Sequence, residues 1–585
     1  SDFYVNLGFT YYKLGQYDKA VESLQKALEL DPDSPHSAQL HYNLGLAYKQ
    51  RGQQEKAIER FKRAVELDGE LLEAHQALGS ALLKQGNLDD AVSAFKQAAS
   101  LDPSSWKSHY NLGVAFSRQE RFGDAVQSYG QALKLDPEGR DIHVALGRTY
   151  WKLGNSDLAL NHYRNALDAR PTDPQIHYEL GLLYRQRGEN NKAITEFEIA
   201  LTQDPNHVDA QANLADLLVK TGQLEASIEG YQKVLKARPN AVEARLGMGI
   251  ALRKKGICDE ALNHLLVAKS LDRNRSDIRF QLALCYDLQG QYDKAIPEYE
   301  AALTIDPSDA EAHFNLGRIY HERGEKTKAE ASYQKAVENK PDLAEAYYGL
   351  GILYTERGLP RKALEFYGKA VTLKPDFVEA INNMGIIHRR MKSYGKALAL
   401  FERVVRLDQG FPEGYYNLGT VLEALEEDAK AAEAYQKAIE IEPDYSNAYS
   451  GLGAVLERQG HIEEAIEAYR TAIKINPRDI PARLGLAEVL ASQGRYEESI
   501  EAYKALLNLE PKSVETMNRL GLLYFEKKLY DDALQYLLMA VETNPDLGHI
   551  HNNLGVVYSK MGMHEEARKQ YELAVKLTKP KSSSP

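Results

Sequence analysis

The sequence predicts an all-α fold made of repeated helix pairs, and three observations lead to this prediction. One residue pattern returns at a step of 34 residues, marked by a glycine that is first seen as Gly8 and recurs at the same position of thirteen later repeats. Alanine replaces it at Ala215, Ala283 and Ala487. Apolar residues recur at helical spacing within each repeat, and glycine and proline interrupt them at fixed positions. A fixed period of this length is typical of stacked repeats rather than of one closed core.

The tenth repeat, residues 310–343, illustrates the predicted helix pair. Tyr320 lies near the end of its first helix, and Gly324 is the glycine expected just after a helix end. Tyr333 lies within the second helix, and Pro341 ends it. Neither helix can bury its whole apolar stripe inside one hairpin, so each repeat needs neighbours of the same kind.

The repeats predict one continuous array. Repeat one covers residues 1–37 and includes three extra residues, and sixteen repeats of 34 residues then cover 38–581. Residues 582–585 are a polar tail or the start of a linker. Positions are counted below from the first residue of each repeat. Position 15 lacks its usual glycine in four repeats, where we expect looser or differently angled turns, at Glu120, Lys392, Glu426 and Lys528.

Composition excludes several classes of function. The balance of 72 basic against 84 acidic residues gives no support to nucleic-acid binding. Cys258 and Cys285 are too few for a disulfide scaffold or a four-cysteine zinc site. No apolar run approaches the roughly 18 residues of a membrane-spanning helix, so direct membrane insertion is not expected. The compartment is left open, with the cytoplasm preferred over the periplasm or the cell envelope.

No cluster of side chains indicates catalysis or metal binding. Histidine recurs at position 4, but equivalent residues of successive repeats lie about 8 to 10 Å apart or more, whereas zinc ligands lie about 2 Å from one ion. We therefore interpret these histidines as packing residues, and we expect no catalytic residue, no metal and no cofactor. The histidines are His41, His75, His109, His143, His177, His313 and His551.

Small and aromatic residues at fixed positions carry a resemblance to a known family. In the second repeat Gly45, Ala57 and Ala64 let two helices approach closely, and Tyr48 and Phe61 fill the space between them. Together with the prolines at position 32, these residues resemble the tetratricopeptide repeat along essentially the whole chain. The resemblance implies a right-handed superhelical solenoid of seventeen antiparallel helix pairs, whose first helices line a concave groove.

Asparagine at position 6 points to ligand binding, because asparagine is an indifferent helix former. Its amide offers a donor and an acceptor, so a row of asparagines could pair with the backbone of an extended peptide. The resemblance implies such a ladder, similar to that of the repeat region of O-linked N-acetylglucosaminyltransferase. The alternative is that these residues only pack between helices. The asparagines are Asn6, Asn43, Asn111, Asn213, Asn315, Asn383, Asn417 and Asn553.

Aromatic residues at position 5 should lean toward the same groove, and tyrosines are favoured anchors at binding surfaces. They could equally fill space between helices, which is the interpretation we favour for Phe280 and Phe314. Position 5 holds no lysine and position 9 no asparagine, so the clamp by which some family members hold a C-terminal carboxylate is absent. The tyrosines assigned to the groove are Tyr42, Tyr110, Tyr178, Tyr348 and Tyr416.

Charge near the end of the first helix differs along the chain, which suggests a groove with two electrostatic halves. Basic residues are favoured at helix C-termini by the helix dipole, so the acidic residues are the more informative set. Repeats one to eight carry Lys13, Lys49, Lys84, Arg118, Lys152, Arg185, Lys220, Arg253 and Lys254. Later repeats carry Asp287, Glu322, Glu356, Glu423, Glu457 and Glu526, with Arg389 and Arg390 as an exception.

These observations predict a non-enzymatic scaffold or adaptor that holds extended peptide or protein segments in its groove. One alternative is the substrate-recruiting region of a larger enzyme, such as a glycosyltransferase. Another is a structural spacer or a self-assembling subunit, because apolar residues at both ends, such as Phe3 and Val575, lack a polar capping helix. Expected partners are proteins or peptides, with end-to-end self-association as a further option and no nucleic acid.

Overall fold

The computed structural model describes residues 2–32 and 34–578, and every regular element in these residues is an α-helix. The helices form consecutive pairs, so the predicted all-α class is confirmed. The polar tail predicted at 582–585 lies outside the described residues. The chain divides into two compact units, residues 1–305 and 306–585.

The first compact unit contains nine hairpins. Its helices are α1 (Asp2–Lys13), α2 (Tyr17–Leu30), α3 (Ser37–Gln50), α4 (Gln54–Leu67), α5 (Leu72–Gln85), α6 (Leu88–Leu101), α7 (Trp106–Arg118), α8 (Phe122–Leu135), α9 (Arg140–Lys152), α10 (Ser156–Ala169), α11 (Pro174–Gln186), α12 (Asn190–Gln203), α13 (Val208–Lys220), α14 (Leu224–Ala237), α15 (Val242–Lys254), α16 (Cys258–Leu271), α17 (Ser276–Leu288) and α18 (Tyr292–Ile305).

The second compact unit contains eight hairpins of the same kind. Its helices are α19 (Ala310–Glu322), α20 (Lys326–Asn339), α21 (Ala344–Glu356), α22 (Pro360–Leu373), α23 (Val378–Arg390), α24 (Tyr394–Leu407), α25 (Pro412–Ala424), α26 (Asp428–Ile441), α27 (Ser446–Gln459), α28 (Ile462–Ile475), α29 (Ile480–Ser492), α30 (Tyr496–Leu509), α31 (Val514–Glu526), α32 (Tyr530–Thr543), α33 (Gly548–Lys560) and α34 (His564–Thr578).

The turn inside each hairpin uses a residue in the left-handed conformation. Gly324 has φ of 76°, its amide donates to the His321 carbonyl at 2.8 Å, and the Glu325 amide donates to the Tyr320 carbonyl at 2.8 Å. These two bonds satisfy carbonyls that the end of α19 would otherwise leave unpaired. At its other end, Asp309 Oδ1 accepts from the Glu311 and Ala312 amides at 3.0 Å each and caps the helix.

The turns without glycine keep this conformation, so the expectation of looser turns there is wrong. Glu120, Lys392, Glu426 and Lys528 have φ between 56° and 63°, in the same left-handed region as the glycines at this position, whose φ lies between 69° and 88°. The backbone hydrogen bonds on both sides of the turn are strong enough to hold a residue with a β-carbon in a backbone region that such residues disfavour. The chain therefore reverses in the same way in these four repeats.

Each hairpin is closed by an aromatic ring or a leucine side chain packed on a small residue. A β-carbon on Gly317 would lie 2.8 Å from Cδ1 of Tyr333, which is almost completely buried. Ala329 and Ala336 are also fully buried and let α20 approach α19. The same arrangement recurs at 34-residue steps, and the largest fully buried tyrosines are Tyr163, Tyr231, Tyr299, Tyr367, Tyr435 and Tyr503.

The histidines at position 4 join successive hairpins. His177 Nε2 lies 2.9 Å from the Pro171 carbonyl, and His313 Nε2 lies 3.1 Å from the Pro307 carbonyl. Each carbonyl belongs to position 32 of the preceding repeat, where the chain leaves a second helix. The ring therefore bonds a backbone group in the turn between hairpins. His75, His109, His143 and His551 make the equivalent contact.

Candidate functional site

Positions 2, 5, 6, 9, 12 and 13 lie on one side of each first helix, because residues three or four apart share a helix face. We call this surface the first-helix face. Within each compact unit neighbouring first helices contact one another, as α5 and α7, α13 and α15, and α25 and α27 do. The first-helix faces of these neighbours therefore adjoin, and most of their side chains at positions 5, 6 and 9 are half-buried.

The aromatic residues at position 5 pack against the ring at position 24 of their own hairpin. The ring centroids of Tyr348 and Tyr367 are 5.7 Å apart, and those of Tyr42 and Phe61 are 6.0 Å apart. Burial raises the pKa of Tyr348 above its ordinary value. Tyr110, Tyr178, Tyr416, Phe280 and Phe314 contact the ring at position 24 in the same way.

Three of these tyrosines contact a second ring at position 34 of the same repeat. The centroid distance is 4.9 Å between Tyr348 and Phe377 and 5.4 Å between Tyr416 and Tyr445. Tyr178 lies 4.6 Å from His207 in the same arrangement. Position 5 therefore contributes to packing, and its rings stay half-buried.

Six of the eight asparagines at position 6 make side-chain hydrogen bonds among the described residues, and these six fall into two groups. In the first group the amide bonds the asparagine's own helix: Asn213 Nδ2 donates to the Asp209 carbonyl at 2.8 Å, and Asn315 Nδ2 donates to the Glu311 carbonyl at 2.9 Å. The Asn213 side-chain carbonyl also accepts from Arg185. Asn43 accepts from Gln39, and Asn6 is exposed at the start of the array. Asn111 is half-buried.

In the second group the amide reaches position 5 of the preceding hairpin. Asn553 Nδ2 donates to Asn518 Oδ1 at 2.9 Å, and Asn383 Nδ2 donates to the Tyr348 hydroxyl at 3.4 Å. Asn417 is the extreme case, since it is 6% exposed and its Nδ2 donates to Asn382 Oδ1 at 3.0 Å. These three asparagines therefore link hairpins, whatever else they do.

At position 6 of some repeats a glycine leaves room for the position-24 tyrosine of the preceding hairpin. A β-carbon on Gly349 would lie 2.7 Å from Cζ of Tyr333, and one on Gly451 would lie 2.6 Å from Cζ of Tyr435. The Tyr435 hydroxyl then donates to Glu423 Oε2 at 2.8 Å. Burial and this carboxylate together raise the pKa of Tyr435. Tyrosine hydroxyls thus reach the first-helix face and donate hydrogen bonds to acidic residues on it.

Aliphatic side chains at position 9 are a part of this face that the sequence reasoning missed. Each is half-buried although each lies on a first helix that packs on both sides. A signal existed in the sequence, since the apolar stripe of the first helix is wider than one hairpin can cover. These side chains are Leu46, Val114, Leu182, Ile250, Leu284, Ile352 and Ile386.

Charges at positions 12 and 13 differ in how they are paired. In the second compact unit Glu356 lies 2.7 Å from Lys326 Nζ, which lowers the pKa of Glu356, and Glu423 lies 3.0 Å from Arg458 Nη1. In the first compact unit the Arg253 guanidinium donates to Gln281 Oε1 at 2.9 Å. The lysines at these positions in the first compact unit are mostly exposed.

The described part of the chain contains no group of three or more histidine, cysteine, aspartate or glutamate side chains arranged to hold a metal ion. Cys258 and Cys285 are buried and not disulfide-bonded, and burial raises the pKa of the Cys285 thiol to about 12. Among residues 2–32 and 34–578, none of the helices combines the length and apolar character needed to cross a membrane.

Family models match segments along most of the chain. Residues 1–217 match a model described as the C-terminal domain of cilia and flagella-associated protein 70, and residues 415–578 match one described as its middle TPR-like domain. Models described as the tetratricopeptide repeat match residues 212–277, 280–344, 344–377 and 377–444.

Several solved structures match the chain at low sequence identity. The structure of Naa15/Naa10 bound to HypK-THB is 16% identical over 98% of this chain and 99% of that chain, with a TM-score of 0.35. The APC/C hetero-tetramer Cut9-Hcn1 is 15% identical over 84% and 96%, with a TM-score of 0.35. YrrB, a TPR protein with an unusual peptide-binding site, is 23% identical over 32% and 95%, with a TM-score of 0.29. A search of curated proteins finds no match.

Proposed function

Since the chain is a tetratricopeptide repeat protein, and so of a class of protein-interaction scaffolds, we propose that it holds extended peptide or protein segments along its first-helix faces. The observation that carries this proposal is the row of half-buried apolar side chains at positions 5 and 9. Such side chains are neither fully packed nor fully solvated, and a ligand laid across them would remove apolar surface from water.

The asparagines would supply the polar part of this interaction. The Asn315 amide nitrogen donates one hydrogen bond within the chain, and the Asn383 amide nitrogen donates to the Tyr348 and Tyr367 hydroxyls. No bond among the described residues uses the Oδ1 atom of either side chain. That oxygen can accept from a ligand backbone N–H, and the rings beside it can anchor a side chain. Asn417 is too buried to take part without rearrangement, so the proposal rests on the more exposed members of the column.

A peptide library displayed on phage would test the proposal on the intact chain. We expect enrichment of extended sequences, and we expect the double variant Asn315→Ala, Asn383→Ala to bind the enriched peptides about fivefold or more weakly, as for the loss of one or two hydrogen bonds. Asn161 and Asn508 are exposed on second helices, so the double variant Asn161→Ala, Asn508→Ala is the matched control. Equal affinities for all three proteins would assign these asparagines to packing, and no enrichment at all would refute peptide binding.

The same proposal assigns the chain no catalytic activity. The described first-helix faces carry amides, rings, aliphatic side chains and charges, and they lack a nucleophile held beside a base. A ligand would therefore be held and presented rather than converted.

For the compartment, which the sequence leaves open with the cytoplasm preferred, we propose a cilium or flagellum. The reason is that two of the matching family models are named for a cilia and flagella-associated protein. A fluorescently tagged chain expressed in a flagellated cell would test this placement. Label in the cell body with none in the flagellum would contradict it.

A further inference from the structure

Cations in the first compact unit form a row along the first-helix faces without ion-pair partners. Lys84, Arg118, Lys152, Lys220 and Lys254 occupy position 13 and are exposed. None of them has its charged nitrogen within 4.0 Å of a carboxylate oxygen in the part of the chain that the structure describes. The row therefore presents positive charge that the protein itself does not neutralise.

Cations at position 14, one residue further along the first helix, do form ion pairs within the chain. Lys255 Nζ lies 2.9 Å from Glu225 of the preceding hairpin, although its neighbour Lys254 has no such partner. Arg187 makes the same kind of contact with Asp157 at 2.5 Å, and Arg51 with Asp18 at 2.8 Å. Cations at position 14 therefore link successive hairpins, whereas the five cations at position 13 form no ion pair within the described residues.

The helix dipole does not account for the row. It would favour a cation anywhere in the last turn of a first helix, in either compact unit. In the second compact unit, however, positions 12 and 13 carry Glu356, Glu423 and Glu457. Glu356 and Glu423 are paired with cations of the chain, and Glu457 accepts from the Tyr469 hydroxyl at 3.0 Å. Position 13 of the second compact unit also holds exposed residues of both signs, namely Arg390, Glu526 and Lys560. Among the described residues, a row of like charge without ion-pair partners is therefore found on this face in the first compact unit.

We propose that the first-helix faces of residues 1–305 bind an acidic, extended protein segment, whose carboxylates face the cations at position 13. This inference rests on the proposed function and names the class of partner. Neighbouring packed helices lie about 8 to 10 Å apart, and an extended chain advances about 3.3 Å per residue. One acidic side chain at about every third residue of the segment would therefore meet one repeat each.

A protein segment fits this face better than a nucleic acid does. The opposite edge of the same face carries exposed acids at position 2, among them Glu73, Asp141 and Glu243. A nucleic acid has charge along its whole backbone and would meet these acids as well. A peptide can place its acidic side chains toward one edge only, and its backbone can bond the asparagines between the two edges.

The experiment uses the intact chain and a labelled peptide of about 20 residues with glutamate at every third position. A second peptide has glutamine in place of each glutamate. The test variant is Lys84→Glu, Lys152→Glu, Lys220→Glu, and the control variant is Lys62→Glu, Lys134→Glu, Lys236→Glu. The control lysines are exposed on second helices, so both variants change the net charge equally. Fluorescence anisotropy gives the affinities, and circular dichroism confirms that each variant is folded.

We expect the wild type and the control variant to bind the glutamate peptide about tenfold more tightly than the glutamine peptide, and the test variant to lose this preference. The preference should also shrink as salt is raised. Equal loss in both variants, or no preference in the wild type, would overturn the inference. If the glutamine peptide binds as well as the glutamate peptide, the proposed function still stands. Tighter binding of a single-stranded DNA of equal charge, lost in the test variant, would assign the row to nucleic acid instead.

Discussion

Gly247 and Tyr231 belong to successive hairpins, and they meet because Gly247 has no side chain. A β-carbon on Gly247 would lie 2.3 Å from the hydroxyl oxygen of Tyr231. That hydroxyl donates to Asp216 Oδ1 at 2.5 Å, so the ring is held from its polar end as well. Burial and the Asp216 carboxylate raise the pKa of Tyr231. The joint between these hairpins is therefore fixed by one glycine, one ring and one carboxylate.

The first prediction is that Gly247→Ala lowers the free energy of unfolding by about 1 to 2 kcal/mol. Alanine favours a helix by about 1 kcal/mol over glycine, but the methyl group would displace the Tyr231 ring from its pocket. Overpacking costs about 1 to 3 kcal/mol, and an approach of 2.3 Å places the cost here in the upper part of that range. Chemical denaturation followed by circular dichroism would measure the change.

Gly130 supplies the control, because a β-carbon there would have no heavy atom within 4 Å apart from its chain neighbours and the backbone of its own helix. It lies inside α8 of the same compact unit, so Gly130→Ala should raise stability by up to about 1 kcal/mol. If both substitutions raise stability, the close approach of Gly247 to Tyr231 does not constrain the protein.

The second prediction concerns Lys392, which has φ of 56° in the turn between α23 and α24. A residue with a β-carbon loses about 1 to 2 kcal/mol in this conformation, and glycine does not. Part of that gain is offset because glycine has more freedom in the unfolded chain. We therefore expect Lys392→Gly to raise the free energy of unfolding by about 0.5 to 1 kcal/mol. Lys396 is exposed inside α24, so Lys396→Gly should destabilise by a similar amount.

Helix positions could be predicted from the sequence because the rules that place them are local. Gly324 and its equivalents end the first helix, and the ring at Tyr333 must face a small residue such as Gly317. The four turns without glycine were mispredicted for a physical reason. The bonds that close such a turn, for example from the Arg121 amide to the Phe116 carbonyl at 3.0 Å, do not depend on the residue at position 15.

The exposure of the site residues could not be predicted in the same way, because it depends on a residue 35 positions earlier. Asn417 is buried since Asn382 is its neighbour in the preceding hairpin, whereas Asn383 meets Tyr348 and stays half-buried. The sequence pattern treats Asn383 and Asn417 as equivalent, and only the packed structure distinguishes them. The pairing of Glu423 with Arg458 follows the same spacing.

The third prediction is a pH dependence at His177. Its Nδ1 lies 2.7 Å from Glu196 Oε2, and this hydrogen bond is the main reason why the pKa of His177 is raised above its ordinary value. Because the folded-state pKa is above the unfolded one, the contact stabilises the fold most below the unfolded pKa of about 6.5. That contribution is lost as the pH rises through the raised value.

Glu196→Gln should therefore destabilise the protein more at pH 5.5 than at pH 8.5, on the order of 0.5 to 1 kcal/mol more, since both groups are only partly buried. Denaturation curves of the wild type and the variant at the two pH values would measure the difference, and a pH-independent loss in Glu196→Gln would contradict the ionic character of the contact.

The last prediction separates the packing role of the asparagine column from its proposed binding role. Asn417→Ala would leave Oδ1 of Asn382, a residue that is 7% exposed, without its donor. A buried acceptor that loses its partner costs about 1 to 3 kcal/mol, so we expect a loss of stability in this range. In the double variant Asn382→Ala, Asn417→Ala no polar group is stranded, so its loss should be smaller than the sum of the two single losses. Asn315→Ala removes only a half-buried bond to its own helix and should cost less than about 0.5 kcal/mol. Measured together with peptide affinity, these variants should show that Asn417 governs stability and Asn315 governs binding. If both substitutions change stability and neither changes peptide affinity, the whole asparagine column serves packing alone.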